Sequence, residues 1–334
     1  MWQNRRWPWS VAVLAGGDSH ERAVSLSSGR EVTLALRSAG HRVEQIDPSH
    51  VPLSEVPWSD FDVCLLALHG GSGEDGRVQQ QLESLGVRYT GSGPEASRLA
   101  MSKSAAKERF FQTRVPTLPY VLFHASEPID DVTAHIARLG WPVVVKPESQ
   151  GSSLGVGFAA RPSELADRVA EGCEFDHFLL AEPWVDGREF TVAVLGREPL
   201  PLLEIATPRG LFDYESKYGH AEAECRFDTG LSREQVVRLQ SIAVAAAESL
   251  GTTGLVRVDL MLDRNERPWV LEVNTLPGMT PTSLAPQAAQ RAGLDLVALC
   301  EWMLRDALAA TAAGPQPRST IAIAFDRAKI EATS

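Results

Sequence analysis

Leu255-Val256-Arg257-Val258-Asp259-Leu260-Met261-Leu262 and Pro268-Trp269-Val270-Leu271-Glu272-Val273 are two apolar runs of strand length. The polar stretch Asp263-Arg264-Asn265-Glu266 joins them as a turn, and Asn274 closes the second run. Side chains at i and i+2 of a strand share a face, so Arg257 goes with Asp259 and Glu272 with Asn274. Asp259, Glu272 and Asn274 can then converge as hard oxygen donors, a set that suits Mg²⁺ bound between protein and nucleotide phosphates. Arg257 points to the same face, where it can stabilise developing oxyanion charge. The competing reading is a surface salt bridge between neighbouring strands. An asparagine among carboxylates at a strand end is more a ligand pattern than a pairing pattern.

Downstream lies Asn274-Thr-Leu-Pro-Gly278-Met-Thr-Pro-Thr-Ser283, with a turn at Pro277-Gly278 and Ser283 near a helix start. A hydroxyl and free N–H groups there can bind a carboxylate. Taken alone, simple N-capping by Ser283 or Thr282 explains these residues better. Helical segments follow near Ser283 to Ala292 and Asp295 to Ala310, and the tail after Gly314 is expected to be weakly ordered apart from Ile321 to Phe325. Upstream, Ser232 with Gln235 forms a capping box. Val236, Leu239, Ala243, Ala246 and Leu250 then mark one helical face, ended by Gly251.

The first third alternates strands and helices. Val11 to Ala15 reads as a strand ended by Gly16-Gly17, and Glu21 to Ala39 as a helix stopped by Gly40. Arg42 to Ile46 and Asp62 to Leu68 read as strands, and Gly76 to Leu85 as a helix. This order implies a parallel sheet with covered faces. The middle reads as a small α+β lobe. It has a helix over Met101 to Phe111, a strand over Pro142 to Val145 and a Gly/Ser loop from Gly151 to Gly157. A helix over Ser163 to Ala170 and strands over His177 to Ala181 and Glu189 to Leu195 complete it. The fold class is therefore α/β with α+β lobes.

Two phosphate-binding patterns need weighing. Gly71-Ser-Gly73-Glu-Asp-Gly76 matches G-x-G-x-x-G between a strand and a helix. Glu74 and Asp75 would put two carboxylates where a pyrophosphate should sit, so the dinucleotide reading is rejected in favour of helix-dipole compensation. Lys146 follows the strand Pro142-Val-Val-Val145, and Gly151-Ser152-Ser153-Leu154-Gly155 comes soon after. A lysine beside such a loop can hold phosphate. A solvated lysine next to a plain hairpin fits that pattern equally well.

Composition narrows the classes. The 334-residue chain carries a net charge of −11 and no basic run, which argues against nucleic acid as a partner. The four cysteines, Cys64, Cys173, Cys225 and Cys300, are far apart and form no C-x-x-C pair. That argues against a zinc site or disulfide framework and suits the cytoplasm. No apolar run of signal-peptide or membrane-spanning length is expected.

Together these motifs resemble those of D-alanine–D-alanine ligases, members of the ATP-grasp superfamily. The similarity runs from about Val11 to about Leu308. It includes Gly16-Gly17-Asp-Ser-His-Glu21-Arg22 with Ser25, Leu68-His69-Gly70, Gly73-Glu74-Asp75-Gly76 and Tyr89-Thr90-Gly91-Ser92. It continues through Lys103, Val145-Lys146-Pro147, Gly151 to Gly155 and Tyr214-Glu215-Ser216-Lys217-Tyr218. Arg257-Val-Asp259 and Glu272 to Thr280 complete the set. The ordered set is highly specific; any single motif is weak.

The resemblance implies an ATP-grasp fold with an N-terminal Rossmann-like domain over 1–97, a central lobe over 98–186, a C-terminal lobe over 187–312 and a tail over 313–334. It implies ATP and D-alanine as substrates, Mg²⁺ as two ions with Mn²⁺ able to substitute, and a homodimer. Lys103 and Lys146 would hold phosphates. Glu182 and Glu189 would bind the adenine and ribose end with the backbone at Val185, and Lys217 would approach the transferred phosphate. Glu21, Ser152 and Tyr218 would position the first D-alanine, with His69 close by. Arg257 would stabilise the tetrahedral intermediate, and Gly278 and Ser283 would receive the second D-alanine. The loop bearing Tyr214 to Tyr218 would close over the site and exclude water. Pro183 departs from the family, which usually has a residue with a backbone N–H there. Rival readings are a sibling ligase making D-alanyl-D-lactate or D-alanyl-D-serine, and a nucleotide-binding regulator without catalysis. Tyr218 favours the dipeptide, and intact Arg257, Asp259, Glu272 and Asn274 argue against the regulator.

Overall fold

The computed structural model describes residues 8–206 and 224–309. Among these residues the strands form three sheets. The first is parallel, in the order β2-β1-β3, from β1 (Ser10–Leu14), β2 (Arg42–Ile46) and β3 (Val63–Leu66). Buried on both faces, Val11 to Leu14 of β1 and the whole of β3 are continuous apolar runs, as parallel strands should be. Helix α1 (Arg22–Ser38) and helix α2 (Arg77–Ser84) agree with the expected spans within two residues.

The helix expected over Met101 to Phe111 is α4 (Lys103–Thr113), shifted by two residues, and a further helix, α3 (Pro94–Met101), precedes it. Ser102 breaks them. Its backbone is extended, and its hydroxyl accepts from the Ala105 N–H at 3.3 Å, so it caps α4. Lys103 is thereby the first residue of a helix. The Glu148 carboxylate sits at that same terminus and accepts from the Ser104 N–H at 3.1 Å and from the Ser102 hydroxyl at 2.6 Å. A carboxylate there complements the helix dipole, which a lysine alone would oppose.

The second sheet has the order β4-β7-β5-β6, all antiparallel, from β4 (Val121–His124), β5 (Val143–Pro147), β6 (Gly157–Ala159) and β7 (Phe178–Pro183). Helices α5 (Ile129–Ile136) and α6 (Leu165–Cys173) cover its apolar face, where Val132, Ile136, Val143, Val145, Leu165 and Ala181 pack together. The third sheet runs β11-β10-β8-β12-β13. Its strands are β8 (Gly187–Leu195), β10 (Leu203–Ala206), β11 (Glu224–Arg226), β12 (Leu255–Asp263) and β13 (Pro268–Asn274), and the short β9 (Glu198–Pro199) pairs with β8. Helix α7 (Arg233–Ser249) packs on it, and its capping box between Ser232 and Gln235 is formed as expected. Strands β4, β6, β9, β10 and β11 and helices α3 and α5 were not anticipated from sequence. They are short, the strands two to four residues and the helices eight, so few positions carry any periodicity.

Helices α8 (Leu284–Arg291) and α9 (Leu296–Ala309) finish the described chain. They share one core with the parallel sheet: Leu299, Met303 and Leu304 pack with Val11, Val13, Val32, Leu36 and Leu65. The N-terminal sheet also meets β12 through a close seam. An ideal Cβ on Gly254 would lie 2.8 Å from the Gly91 Cα, and Thr253 donates its hydroxyl to the Gly91 carbonyl at 2.9 Å. Gly254 has a φ of +73°.

Gly254→Ala is therefore expected to cost on the order of 3 kcal/mol or more, through strain and collision together. Gly251→Ala, at a φ of +70° with nothing within 4 Å, should cost only about 1–2 kcal/mol. Urea unfolding followed by tryptophan fluorescence compares them, and equal losses would remove the close approach as the cause.

Candidate active site

The hairpin that opens the sequence reading pairs as expected. Asp259 lies opposite Glu272, and Arg257 opposite Asn274. All four therefore share a face. Arg257 holds Asp259 bidentately, Nε to Oδ1 at 2.9 Å and a terminal nitrogen to Oδ2 at 2.7 Å. Thr191, opposite Asp259 on β8, donates its hydroxyl to Oδ1 at 2.7 Å. So the salt bridge is real, but it runs along one strand between Arg257 and Asp259, not across to the neighbouring strand. Asn274 accepts the Leu276 N–H at 2.9 Å, which orients its amide.

The register jumps from Asp259↔Glu272 to Leu260↔Val270, leaving Leu271 as the extra residue of a β-bulge. Bulges re-aim side chains. Here Leu271 and Glu272 both line one cleft, where strict alternation would have sent one of them away.

That cleft lies between the second and third sheets. Val144 and Lys146 of β5 and Glu182 of β7 form one wall, and Glu189, Asp259, Met261 and Glu272 form the other. Lys103 enters from the start of α4, and Gln150, Ser153 and Val156 of the glycine-rich loop close over it. Pro183, Trp184 and Val185 line the end beyond β7. The Trp184 N–H donates to the Pro142 carbonyl at 2.9 Å and is thus used by the fold.

Three lysines set the electrostatics. Glu182 is almost fully buried, with Lys146 Nζ at 2.7 Å from Oε2 and Lys107 Nζ at 2.8 Å from Oε1. Burial alone would raise the Glu182 pKa, but the charges of Lys146 and Lys107 outweigh it and bring it down to about 2. For Lys146, burial pulls the pKa down and Glu182 more than restores it, so the net direction is up. Lys103 goes down, because burial outweighs the pull of Glu272. Its ammonium donates to the Gln150 carbonyl, which ties α4 to the glycine-rich loop.

A second cluster lies where that loop meets the parallel sheet. Ser152 and Ser153 have φ of +53° and +56°, a conformation uncommon for any residue with a Cβ. Ser152 donates its hydroxyl to Glu21, the residue just before α1. Gly70 and Gly151 lie so close to Glu21 that a Cβ would come within 2.6 Å and 3.1 Å of its carboxylate. His69 is buried, with Nδ1 at 3.7 Å from Glu74 and Nε2 at 3.0 Å from the Ser28 hydroxyl. The Met279 N–H donates to that hydroxyl at 3.1 Å, joining this cluster to the Pro277-Gly278 turn. Ser283 does not cap α8, contrary to the simpler expectation. Its hydroxyl turns to Thr280, accepting from the N–H at 3.2 Å, and a Cβ on Gly278 would come within 2.6 Å of it.

The rejected dinucleotide pattern has local partners. Asp75 accepts from the Arg77 N–H at 3.0 Å at the start of α2, and Glu74 faces His69. Lys217, Tyr218 and the loop expected to close over the site fall outside the described residues. Sequence reading missed Lys107, Ser28, Glu148 and Thr191. Lys107 carried a signal, since it stands one helical turn after Lys103.

A cleft between two antiparallel sheets, with lysines on one wall, carboxylates on the other and a glycine-rich loop over the top, defines the ATP-grasp architecture. A family profile described as D-ala D-ala ligase C-terminus matches residues 110–305. The D-alanine–D-alanine ligase of Alkalilimnicola ehrlichii is 42% identical over 296 residues, covering 89% of this chain and 94% of its own. That of Acinetobacter baumannii is 38% identical, covering 90% and 97%. A crystal structure of the D-alanine–D-alanine ligase from Bacillus anthracis superposes with a TM-score of 0.80 at 32% identity, covering 90% and 97%. The same enzyme complexed with ATP gives 0.78 at 30% identity, with the same coverage. The chain belongs to the D-alanine–D-alanine ligase family.

The Glu182 carboxylate is depressed below its unfolded value near 4.5, so its stabilising contribution is complete above that pH and is lost as pH falls toward about 2. Glu182→Gln should flatten the acid limb of stability between pH 5 and pH 3, read as urea midpoints at each pH. A limb parallel to wild type would show that another carboxylate sets it.

Proposed function

We propose that the protein joins two D-alanines into D-alanyl-D-alanine, using ATP and releasing ADP. One observation carries this reading. A single loop, Gly151 to Gly155, serves both clusters: Ser153 lines the cation-walled cleft, while Ser152 binds Glu21 at the polar junction. A phosphoryl donor on one side of that loop and an amino acid on the other would meet at the loop itself. The named relatives and the ATP complex of the Bacillus anthracis enzyme support the same assignment.

The residues divide the work. Lys103 and Lys146 neutralise phosphate charge, and Glu189 with the Val185 backbone holds the ribose and adenine end. Glu182 takes part at the adenine end from its place between the lysines. Pro183, lacking an N–H, leaves the Val185 N–H and the neighbouring carbonyls to recognise the base. Glu21, held by Ser152, takes the ammonium of the first D-alanine, and the carboxylate of that D-alanine receives the terminal phosphoryl group of ATP as ADP leaves. The amine of the second D-alanine attacks the acyl phosphate. Arg257, pre-aimed by its bidentate bond to Asp259, stabilises the oxyanion that forms, and phosphate leaves. Gly278 and Ser283 receive the second carboxylate, and Lys217 and Tyr218 contribute from their loop. Asp259, Glu272 and Asn274 fit Mg²⁺ by the chemistry of their donors, hard oxygens on one strand face. When bound there, Mg²⁺ neutralises charge on the phosphates, as Mn²⁺ can in its place. The same reading includes a second metal ion, a cytoplasmic setting and a homodimer, the last tested by sedimentation.

Incubation with ATP, Mg²⁺ and a panel of D-amino and D-hydroxy acids, followed by mass identification of products, tests the assignment. D-Alanyl-D-alanine should dominate with one ADP per dipeptide. A D-alanyl-D-lactate or D-alanyl-D-serine product would transfer the assignment to a sibling ligase, and no product would favour a regulator. Glu272→Gln should shift the Mg²⁺ dependence to higher concentration and cut turnover by roughly a hundredfold. An unchanged Mg²⁺ titration would remove Glu272 from the metal site.

A further inference from the structure

Lys107 is among the largest fully buried side chains of the described residues, and the mechanism above does not use it. Its ammonium has three N–H donors. It is surrounded by three acceptors: Glu182 Oε1 at 2.8 Å, the Thr117 hydroxyl at 2.9 Å and the Leu118 carbonyl at 3.2 Å. Thr117 is itself fixed, donating its hydroxyl to the Val270 carbonyl on β13 at 2.9 Å. Lys107 thus makes two hydrogen bonds and one ion pair inside the protein, and its side chain is not part of the cleft wall.

Lys146 differs on each point. Its side chain is 13% exposed, against 1% for Lys107, and it lines the cleft. It bonds the other oxygen of the same carboxylate. Glu182 therefore has one counter-ion locked in the interior and one that faces the space a phosphate would enter.

We infer that Lys107 is a positioning residue: it is the fixed counter-ion of Glu182 that leaves Lys146 free to exchange that carboxylate for a nucleotide phosphate. The inference rests on the ATP-binding reading of the cleft. Its physical basis is the cost of stranding a buried charge. A phosphate can take Lys146 only if Glu182 remains compensated, because a buried carboxylate stripped of all partners is strongly unfavourable. Lys107 supplies that compensation without moving. It also holds Oε1 in place, so the carboxylate stays aimed while Oε2 changes partner. No bond is made or broken in this step; one ammonium passes from a carboxylate to a phosphate oxygen.

The test is a double-mutant cycle read in ADP affinity by calorimetry, with turnover measured separately. The variants are Lys107→Met, Glu182→Gln and the two combined. Lys107→Met should weaken ADP binding on the order of ten- to a hundredfold, while kcat at saturating ATP and the KM for D-alanine stay within about twofold. In the Glu182→Gln background, adding Lys107→Met should change ADP affinity by less than about twofold, because the charge it compensates is gone. If the weakening persists undiminished in that background, Lys107 acts through general packing and the inference fails. It fails equally if Lys107→Met leaves ADP affinity intact, or if kcat falls instead. Should Lys107→Met not fold, the combined variant, which carries no bare buried carboxylate, is compared with Glu182→Gln alone. Equal affinity supports the inference and a tenfold loss overturns it. Wild-type protein that binds no ADP would instead overturn the functional reading itself.

Discussion

Glu182 is an ionised carboxylate with almost no access to water, and the geometry of the cleft follows from how that charge is held. Two ammonium groups bracket it, one from β5 and one from α4. The requirement fixes the separation of strand and helix and places α4 against β7. That in turn brings Lys103, one turn earlier on α4, to the mouth of the same cleft. Glu148 completes the arrangement by binding the N-terminus of α4 from the end of β5. Helix and sheet are thus tied at both ends of one short stretch, by an ion pair at one point and by a capping carboxylate at the other.

The second wall is organised by a different carboxylate. Asp259 accepts from both Arg257 and Thr191, so three adjacent positions on two strands are set by one acidic group. The two walls carry opposite bias, cations on β5 and α4 and anions on β12 and β13. Such a cleft attracts a polyanion on one side and the counter-ions that accompany it on the other.

How far this could be read beforehand depended on the kind of signal. Alternation along β12 and β13 placed Arg257, Asp259, Glu272 and Asn274 on one face, since period-two geometry leaves no other arrangement. The bulge at Leu271 was invisible, because an inserted residue in an apolar run looks like more of the same run. The start of α4 was placed two residues early because Ser102 is tolerated in a helix as well as at a cap, and its partnership with Glu148 fixes it as the cap. Ser283 looked like a cap for the converse reason. Lys107 and Ser28 act through residues far away in the chain, Glu182 and His69, and no local pattern encodes such partners. Motif resemblance supplied the roles of Glu21, Ser152 and His69, and composition alone would not have singled them out.

The parallel sheet is first in the chain, yet part of its core comes from the last described helix. Leu299, Met303, Leu304 and Leu308 of α9 bury themselves among Val11, Val13, Val32 and Leu65. During synthesis the strands nearest the N-terminus leave the ribosome long before that helix exists. Until that helix has emerged their apolar face lacks its final cover. This sheet is therefore closed by contacts of very large sequence separation, the kind that make folding slow. The parallel sheet and the last described helices therefore share one core, with the two antiparallel sheets between them in the chain.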